Sequence, residues 1–397
     1  MKRIYDTIVE QSLAEFRQMI FMSGPRQVGK TTIAEGHADH YLNWDKDSVK
    51  ELILKGQDHV AQACGIDRIG ERPSVIAFDE IHKYARWKQF LKGFFDDNER
   101  KCRILATGSA RMDVYKRGGD SMMGRYFPYR IHPLSVAELL TTDLPDESLT
   151  RKPCRLEDSE WAALCEFGGF PEPFLKRSRA FSTRWNRLRR EQLVRGDVRD
   201  LTRIAELDQV AALAEMLINR SGEQLVYKSL AGDVKADEKT VKNWVQTLKY
   251  LYYGFEVRPW FRNVENSIRK TPKWYLRDWA LISDPGKRFE TMLACHLLKA
   301  VDAWTDLGFG EFELCYIRDK QKREVDFLVV RDRDPWMLVE AKTGEERLSD
   351  HLTRFRERLS VPHAFQVVEN LPYADVDVFA CDRVGIVPAL TFLSQLI

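Results

Sequence analysis

The chain has 397 residues, with 62 Lys+Arg against 60 Asp+Glu and a net charge of +2. That length suits two or three domains. The near-neutral balance excludes a uniformly basic nucleic-acid coat, while leaving room for local basic patches. No apolar run reaches the roughly 18–20 residues that a bilayer span needs, and Met1-Lys2-Arg3-Ile4-Tyr5-Asp6 lacks the apolar stretch of a signal peptide. The seven cysteines are scattered and never form a CxxC pair. Free thiols, a cytoplasmic location, no membrane partner and no structural zinc are therefore expected.

Short apolar runs alternate with amphipathic stretches over the first 140 residues. They predict strands at 18–22, 40–44, 74–78 and 103–107, the pattern of a parallel α/β sheet. Residues 143–160 are polar and carry two prolines, which reads as a linker. Helical periodicity runs from Trp161 to about Arg220, then a small helical module with a basic hairpin follows, then a second α/β unit. The expected domains are 1–142, 143–220 (linker and helices), 221–284 and 285–397.

Gly24-Pro25-Arg26-Gln27-Val28-Gly29-Lys30-Thr31 follows the apolar run Ile20-Phe21-Met22 and fits GxxxxGK[ST], with Thr32 opening the next helix. Glycines let backbone N–H groups turn inward around phosphate oxygens, and the helix N-terminus adds partial positive charge. Lys30 would reach the β/γ-phosphates of ATP, and Thr31 would ligate Mg²⁺. A second apolar run, Ser74-Val75-Ile76-Ala77-Phe78, ends in Asp79-Glu80. There Asp79 is the expected partner of the metal and Glu80 the expected base for the attacking water. A third strand ends at Thr107-Gly108-Ser109; Ser109 is the first candidate for a γ-phosphate sensor and Thr107 the second, against a plain turn role for each. Arg125 is either an arginine finger acting in trans within a homo-oligomer or an ion-paired surface residue.

These motifs, with Phe78-Asp79-Glu80-Ile81-His82-Lys83, Gly124-Arg125, Pro133-Leu134-Ser135 and Gly168-Gly169-Phe170-Pro171-Glu172, resemble one branch of the AAA-type ATPases of bacteria and archaea. The resemblance covers nearly the whole chain. It implies an AAA-type P-loop domain with a helical extension, a winged helix and a restriction-endonuclease-like C-terminal domain. It also favours the finger reading of Arg125.

In 238–252, Val241, Trp244, Val245, Leu248 and Leu251 or Tyr252 recur at helical spacing, while Lys239, Lys242, Asn243, Gln246 and Lys249 fall largely elsewhere. With 227–231 as the preceding helix, this reads as a helix-turn-helix. Strands are predicted at 255–261 and 273–277, and Arg258, Arg262, Arg269, Lys270, Lys273 and Arg277 stand there against the nearby acid Glu265. A basic wing and a polar helix suit phosphate contacts with DNA, and such modules also serve as protein-packing domains. Residues 176–203 carry ten Lys/Arg and three acids, a second basic surface or a solvated helix face.

Finally, Glu324-Val325-Asp326-Phe327-Leu328-Val329-Val330 and Trp336-Met337-Leu338-Val339-Glu340-Ala341-Lys342 flank a break at 331–335, a hairpin signature. A turn symmetric about Arg333 would set Asp326 opposite Glu340 and Glu324 opposite Lys342. Two carboxylates and an amine would then share one face. That layout resembles a PD-(D/E)XK nuclease core. Asp326 and Glu340 would hold Mg²⁺, Lys342 would orient the attacking water, and Glu290 resembles the helical acid of that fold. Val325 stands where proline is nominal. ATP state would then gate DNA binding or cleavage; the alternative is an ATP-driven DNA-binding regulator with an inactive nuclease fold.

Overall fold

The computed structural model describes residues 1–66, 72–108, 122–199, 204, 206–261, 271–344 and 347–397. Ser109, Arg203, Arg262, Glu265, Arg269 and Lys270 lie outside the described residues. The chain divides into two units: residues 1–132 with 142–144, and residues 133–141 with 145–397.

In the first unit, five strands form a parallel sheet: β1 Met19–Ser23, β2 His40–Asn43, β3 Ser74–Asp79, β4 Cys102–Gly108 and β5 Tyr126–Arg130, in the order β2-β3-β4-β1-β5. The predicted strands agree to within a residue or two. β1, β3 and β4 are almost wholly buried, as strands covered on both faces must be, and so they read as continuous apolar runs. The helices of this unit are α1 Ile4–Glu15, α2 Lys30–His37, α3 Asp47–Lys55, α4 Gln57–Ala63 and α5 Trp87–Asn98. α5 buries Trp87, Phe90, Leu91, Phe94 and Phe95, one stripe at helical spacing. Phe90 and Phe94 meet Phe78 edge-on, with ring centroids 5.7 and 5.5 Å away. This aromatic cluster anchors the strand whose end carries Asp79 and Glu80.

The second unit is helical first: α6 Val136–Leu140, α7 Asp158–Phe167, α8 Pro171–Lys176, α9 Arg179–Gln192, a π-helical stretch Leu193–Val198, α10 Leu207–Asn219, α11 Tyr227–Val234 and α12 Glu238–Tyr250. Two motifs noted in the sequence meet here for packing. Leu134 N–H donates to the Gly169 carbonyl at 2.7 Å, and a Cβ on Gly169 would fall 2.6 Å from the Trp279 ring. Part of the basic stretch is ion-paired. Arg177 and Arg179 meet Glu160 and Glu166, Arg190 lies 2.5 Å from Glu215, and the half-buried Arg189 lies 2.9 Å from Asp278 and stacks on Phe170.

α12 buries Val241, Trp244, Val245 and Leu248, and Asp237 caps it by accepting from Thr240 N–H at 2.9 Å. Strands β6 Gly254–Pro259 and β7 Lys273–Leu276 pair antiparallel behind it. They then join β8 Phe312–Arg318, β9 Glu324–Arg331, β10 Asp334–Lys342, β11 His363–Val368 and β12 Gly385–Pro388 in one seven-stranded sheet, ordered β12-β11-β10-β9-β8-β6-β7. One sheet therefore runs across the expected boundary at 284/285. Packed with it are α13 Pro285–Asp306, α14 Asp350–Leu359 and α15 Ala389–Ser394. Among the described residues no helix is long and apolar enough to cross a membrane.

Candidate functional sites

The loop from Gly24 to Gly29 joins β1 to α2. Gln27 and Gly29 have φ of 64° and 99°, a left-handed bend of the kind that turns N–H groups towards one centre. Gly24 has no room for a side chain, because a Cβ there would lie 2.3 Å from the Ile131 carbonyl oxygen. The buried Lys30 folds back on the loop, donating to the carbonyls of Gly24 at 2.9 Å and Pro25 at 2.7 Å. Arg3, which the sequence did not single out, braces the loop from outside. Its guanidinium donates to the Val28 carbonyl at 2.7 Å and the His132 carbonyl at 2.8 Å. Thr31 and Thr32 are exposed at the start of α2.

Asp79, buried at the end of β3, accepts from the Thr31 hydroxyl at 3.0 Å, from Asn43 Nδ2 at 3.1 Å, and from the hydroxyls of Tyr41 and Thr107. Burial and the adjacent Asp79 push the Tyr41 phenol well above its ordinary pKa. Glu80 has φ 54°, a left-handed turn that swings its side chain out of the strand direction. The Thr107 hydroxyl holds that turn by accepting from Glu80 N–H at 3.2 Å. Thr107 thus ties both acids together. Lys83 Nζ lies 3.4 Å and His82 Nε2 3.8 Å from the Glu80 carboxylate. Burial drops the His82 pKa to about 4. Arg125 makes a two-point pair with Asp96 of α5, at 2.7 and 2.9 Å, and this pair holds the Asp96 carboxyl below its usual range.

The donor set fits a nucleotide and its metal. Thr31 and Asp79 offer a hydroxyl and a carboxylate, the hard oxygen ligands Mg²⁺ takes. Lys30 sits within the bend whose N–H groups would surround the phosphates.

The segment 227–252, read from the sequence as a helix-turn-helix, is less free than its composition implies. Lys239, Lys242 and Asn243 are exposed. Gln246 and Lys249 instead reach Glu256 on β6, at 3.0 and 2.6 Å, and Tyr227 joins them at 3.3 Å. Glu256 is the acid this reading of the hairpin missed. Two of the wing cations point inward: Arg277 is buried over the rings of Tyr252 and Phe255, and Lys273 enters a carboxylate cluster.

That cluster brings together four elements. Glu290 comes from α13, Glu324 and Asp326 from β9, Glu340 and Lys342 from β10, and Lys273 and Tyr275 from β7. The hairpin turn is not symmetric about Arg333. Asp332 and Arg333 take φ of 50° and 75°, the two-residue turn that matches strand twist, and Asp334 pairs with Arg331. A shift between Pro335 and Met337 then sets Met337, Leu338 and Val339 across from Val329, Leu328 and Phe327. This restores the register the symmetric turn would have given. The Asp326 carboxylate accepts from Ala341 N–H at 3.1 Å, and Lys342 Nζ lies 3.2 Å from Glu340 Oε1. Tyr275 donates to Glu290 at 2.6 Å. Burial, then the nearby Asp326, raises the Glu290 pKa to about 7 and pushes the Glu340 carboxyl up as well. Among the described residues no three His, Cys, Asp or Glu side chains are gathered closely enough to hold a metal ion; in this cluster an ammonium stands between the acids.

Residues 16–140 match the AAA domain family, and residues 158–284 and 285–382 match two domains of unknown function, DUF8612 and DUF4143. The chain is 23% identical over 269 residues to an uncharacterized protein of Mycobacterium tuberculosis, Rv2008c, covering 66% of this chain and 55% of that one. It is 24% identical over 290 residues to the uncharacterized protein MJ1637 of Methanocaldococcus jannaschii, covering 65% and 60%. The chain thus spans a little over half the length of the curated relatives it matches. Among solved structures it is similar to AMPPCP-bound DnaA from Aquifex aeolicus, at 16% identity and a TM-score of 0.30 over 61% of this chain and 86% of that one. Residues 16–140 thus match the AAA domain family, and the same residues carry the loop, the two acids after β3 and the parallel sheet of a P-loop fold.

Proposed function

We propose that the chain binds and hydrolyses ATP with Mg²⁺ at the loop Gly24–Thr31, and that nucleotide state gates DNA binding or cleavage through its C-terminal half. The observation that carries the nucleotide reading is the link from the Thr31 hydroxyl to Asp79 at 3.0 Å, directly beside Lys30. Thr31 and Asp79 would hold the ion, Lys30 the phosphates, and Glu80 would take the proton of the attacking water. Lys30→Ala is expected to abolish ATP binding, because the phosphates lose the loop's lysine. Equilibrium binding of a fluorescent ATP analogue checks it, and retained affinity would move the nucleotide elsewhere.

Arg125 is assigned the trans finger, released from Asp96 when a second copy docks. Arg125→Ala is then expected to cut turnover by about 10³-fold, and wild-type turnover per chain should rise with protein concentration. A concentration-independent rate in a monomer would refute the trans version.

DNA contact is assigned to Lys239, Lys242 and Asn243, three exposed polar residues of α12. Phosphate contacts release counterions, so affinity should fall steeply with salt. Lys242→Glu is expected to weaken duplex binding and flatten that salt dependence, as read by fluorescence anisotropy. Unchanged affinity would shift the interface to the basic stretch 176–203.

The C-terminal cluster supports a nuclease-like reading through Asp326, Glu340, Lys342 and Glu290. Lys273 favours the second reading, an ATP-driven DNA-binding regulator with an inactive nuclease fold, since it supplies from within the chain the positive charge that a metal would bring. Metal-dependent cleavage of plasmid, linear and single-stranded DNA, with and without ATP, separates the two.

A further inference from the structure

Lys273 sits on the edge strand β7 and is only 5% exposed. Its Nζ lies 2.7 Å from Glu324 Oε1 and 3.4 Å from both Glu290 Oε1 and Asp326 Oδ1. One ammonium thus faces three carboxylates from a helix and a strand distant in sequence. The remaining charge is shared out by polar neighbours: Tyr275 donates to Glu290, and Arg318 lies 3.4 Å from Glu324. Glu340, the fourth acid, is 6% exposed, and its Oε2 has no hydrogen-bond partner. A buried carboxylate oxygen left unpaired is an acceptor waiting for a cation or a donor.

We propose that Lys273 is a tethered competitor of a divalent cation at this site: its ammonium occupies the space between Glu290, Glu324 and Asp326, so a metal ion is held firmly between Asp326 and Glu340 only when Lys273 is drawn away. The proposal rests on reading this cluster as a metal site. The physical reason is direct. An ammonium is a compact point charge on a flexible stem, and it repels a second cation from the carboxylates it already occupies. Glu340 is not among the carboxylates Lys273 touches; its Oε1 meets Lys342, and its Oε2 alone is left open beside Asp326. Because Lys273 belongs to the same strand pair as Glu256 of β6, any movement of that hairpin would move the competing charge with it.

Titration of the nucleotide-free full chain with Mn²⁺, followed by electron paramagnetic resonance, tests this. Lys273→Gln is expected to bind Mn²⁺ about tenfold tighter than wild type or better. Adding Glu340→Gln should remove that gain, which identifies the site counted. Lys273→Arg keeps the charge and is expected to bind as wild type does. Equal affinities in wild type and Lys273→Gln, or no Glu340-dependent site in either, would overturn the proposal. Should Lys273→Gln fail to fold, the double variant with Glu324→Gln removes a carboxylate together with the ammonium, and the same comparison decides. Plasmid cleavage measured in parallel keeps the two ideas apart. Tighter Mn²⁺ binding without cleavage supports the role of Lys273 and sinks the nuclease reading. Cleavage with no change in affinity does the reverse.

Discussion

Glu80→Gln is expected to leave ATP binding intact and to slow hydrolysis by about 10²–10⁴-fold, trapping nucleotide on the protein. The amide keeps the shape of the carboxylate and cannot take a proton from water. Its backbone stays in the same left-handed turn, because the bond from the residue 80 N–H to the Thr107 hydroxyl involves no side-chain atom of residue 80. Asp79 keeps its Thr31, Asn43, Tyr41 and Thr107 partners. Phosphate release and filter-retained ATP, measured side by side, check this. Equal turnover in the variant and wild type would remove Glu80 from the role of base and return attention to its neighbours, His82 first.

Much of the candidate nucleotide site is legible in the sequence because phosphate chemistry is local. A left-handed bend at Gly29, a lysine at the helix start and a carboxylate at a strand end are each specified by a few adjacent residues. The shell around them is not. Arg3 braces the loop from the start of the chain, and Tyr41 and Asn43 reach Asp79 from a strand far from it in sequence. Only tertiary packing brings such residues together. The hairpin shows the same limit in another form. A two-residue turn and a compensating shift give the register that one symmetric turn would also give, so the facing residues were foreseeable and the path between them was not. Composition misled most at the wing. Lys273 and Arg277 were counted as surface charge, yet both are buried. Lysine and arginine side chains are long enough to bury the stem and still find a partner; a count of charges along the chain does not say which way each one points.

The C-terminal cluster carries the other large expected effect. Asp326→Asn or Lys342→Ala is expected to eliminate any Mg²⁺-dependent DNA cleavage and to leave ATP turnover nearly unchanged. Asp326 reaches several parts of the cluster: it accepts from Ala341 N–H, faces Lys273, and adds to burial in raising the pKa of both Glu290 and Glu340. Its amide would keep that shape, lose the charge a metal needs, and let both neighbours ionise more readily. Lys342 stands 3.2 Å from Glu340, where its amine would meet a metal-bound water. Neither residue belongs to the unit that carries the nucleotide loop, so ATP hydrolysis has no direct reason to change. Nicking of supercoiled plasmid in a Mg²⁺ series, beside phosphate release from the same preparations, makes the measurement. If the wild type does not cleave under any metal while ATP still alters its DNA affinity, the nuclease reading fails, and the ATP-driven DNA-binding regulator is the reading that stands.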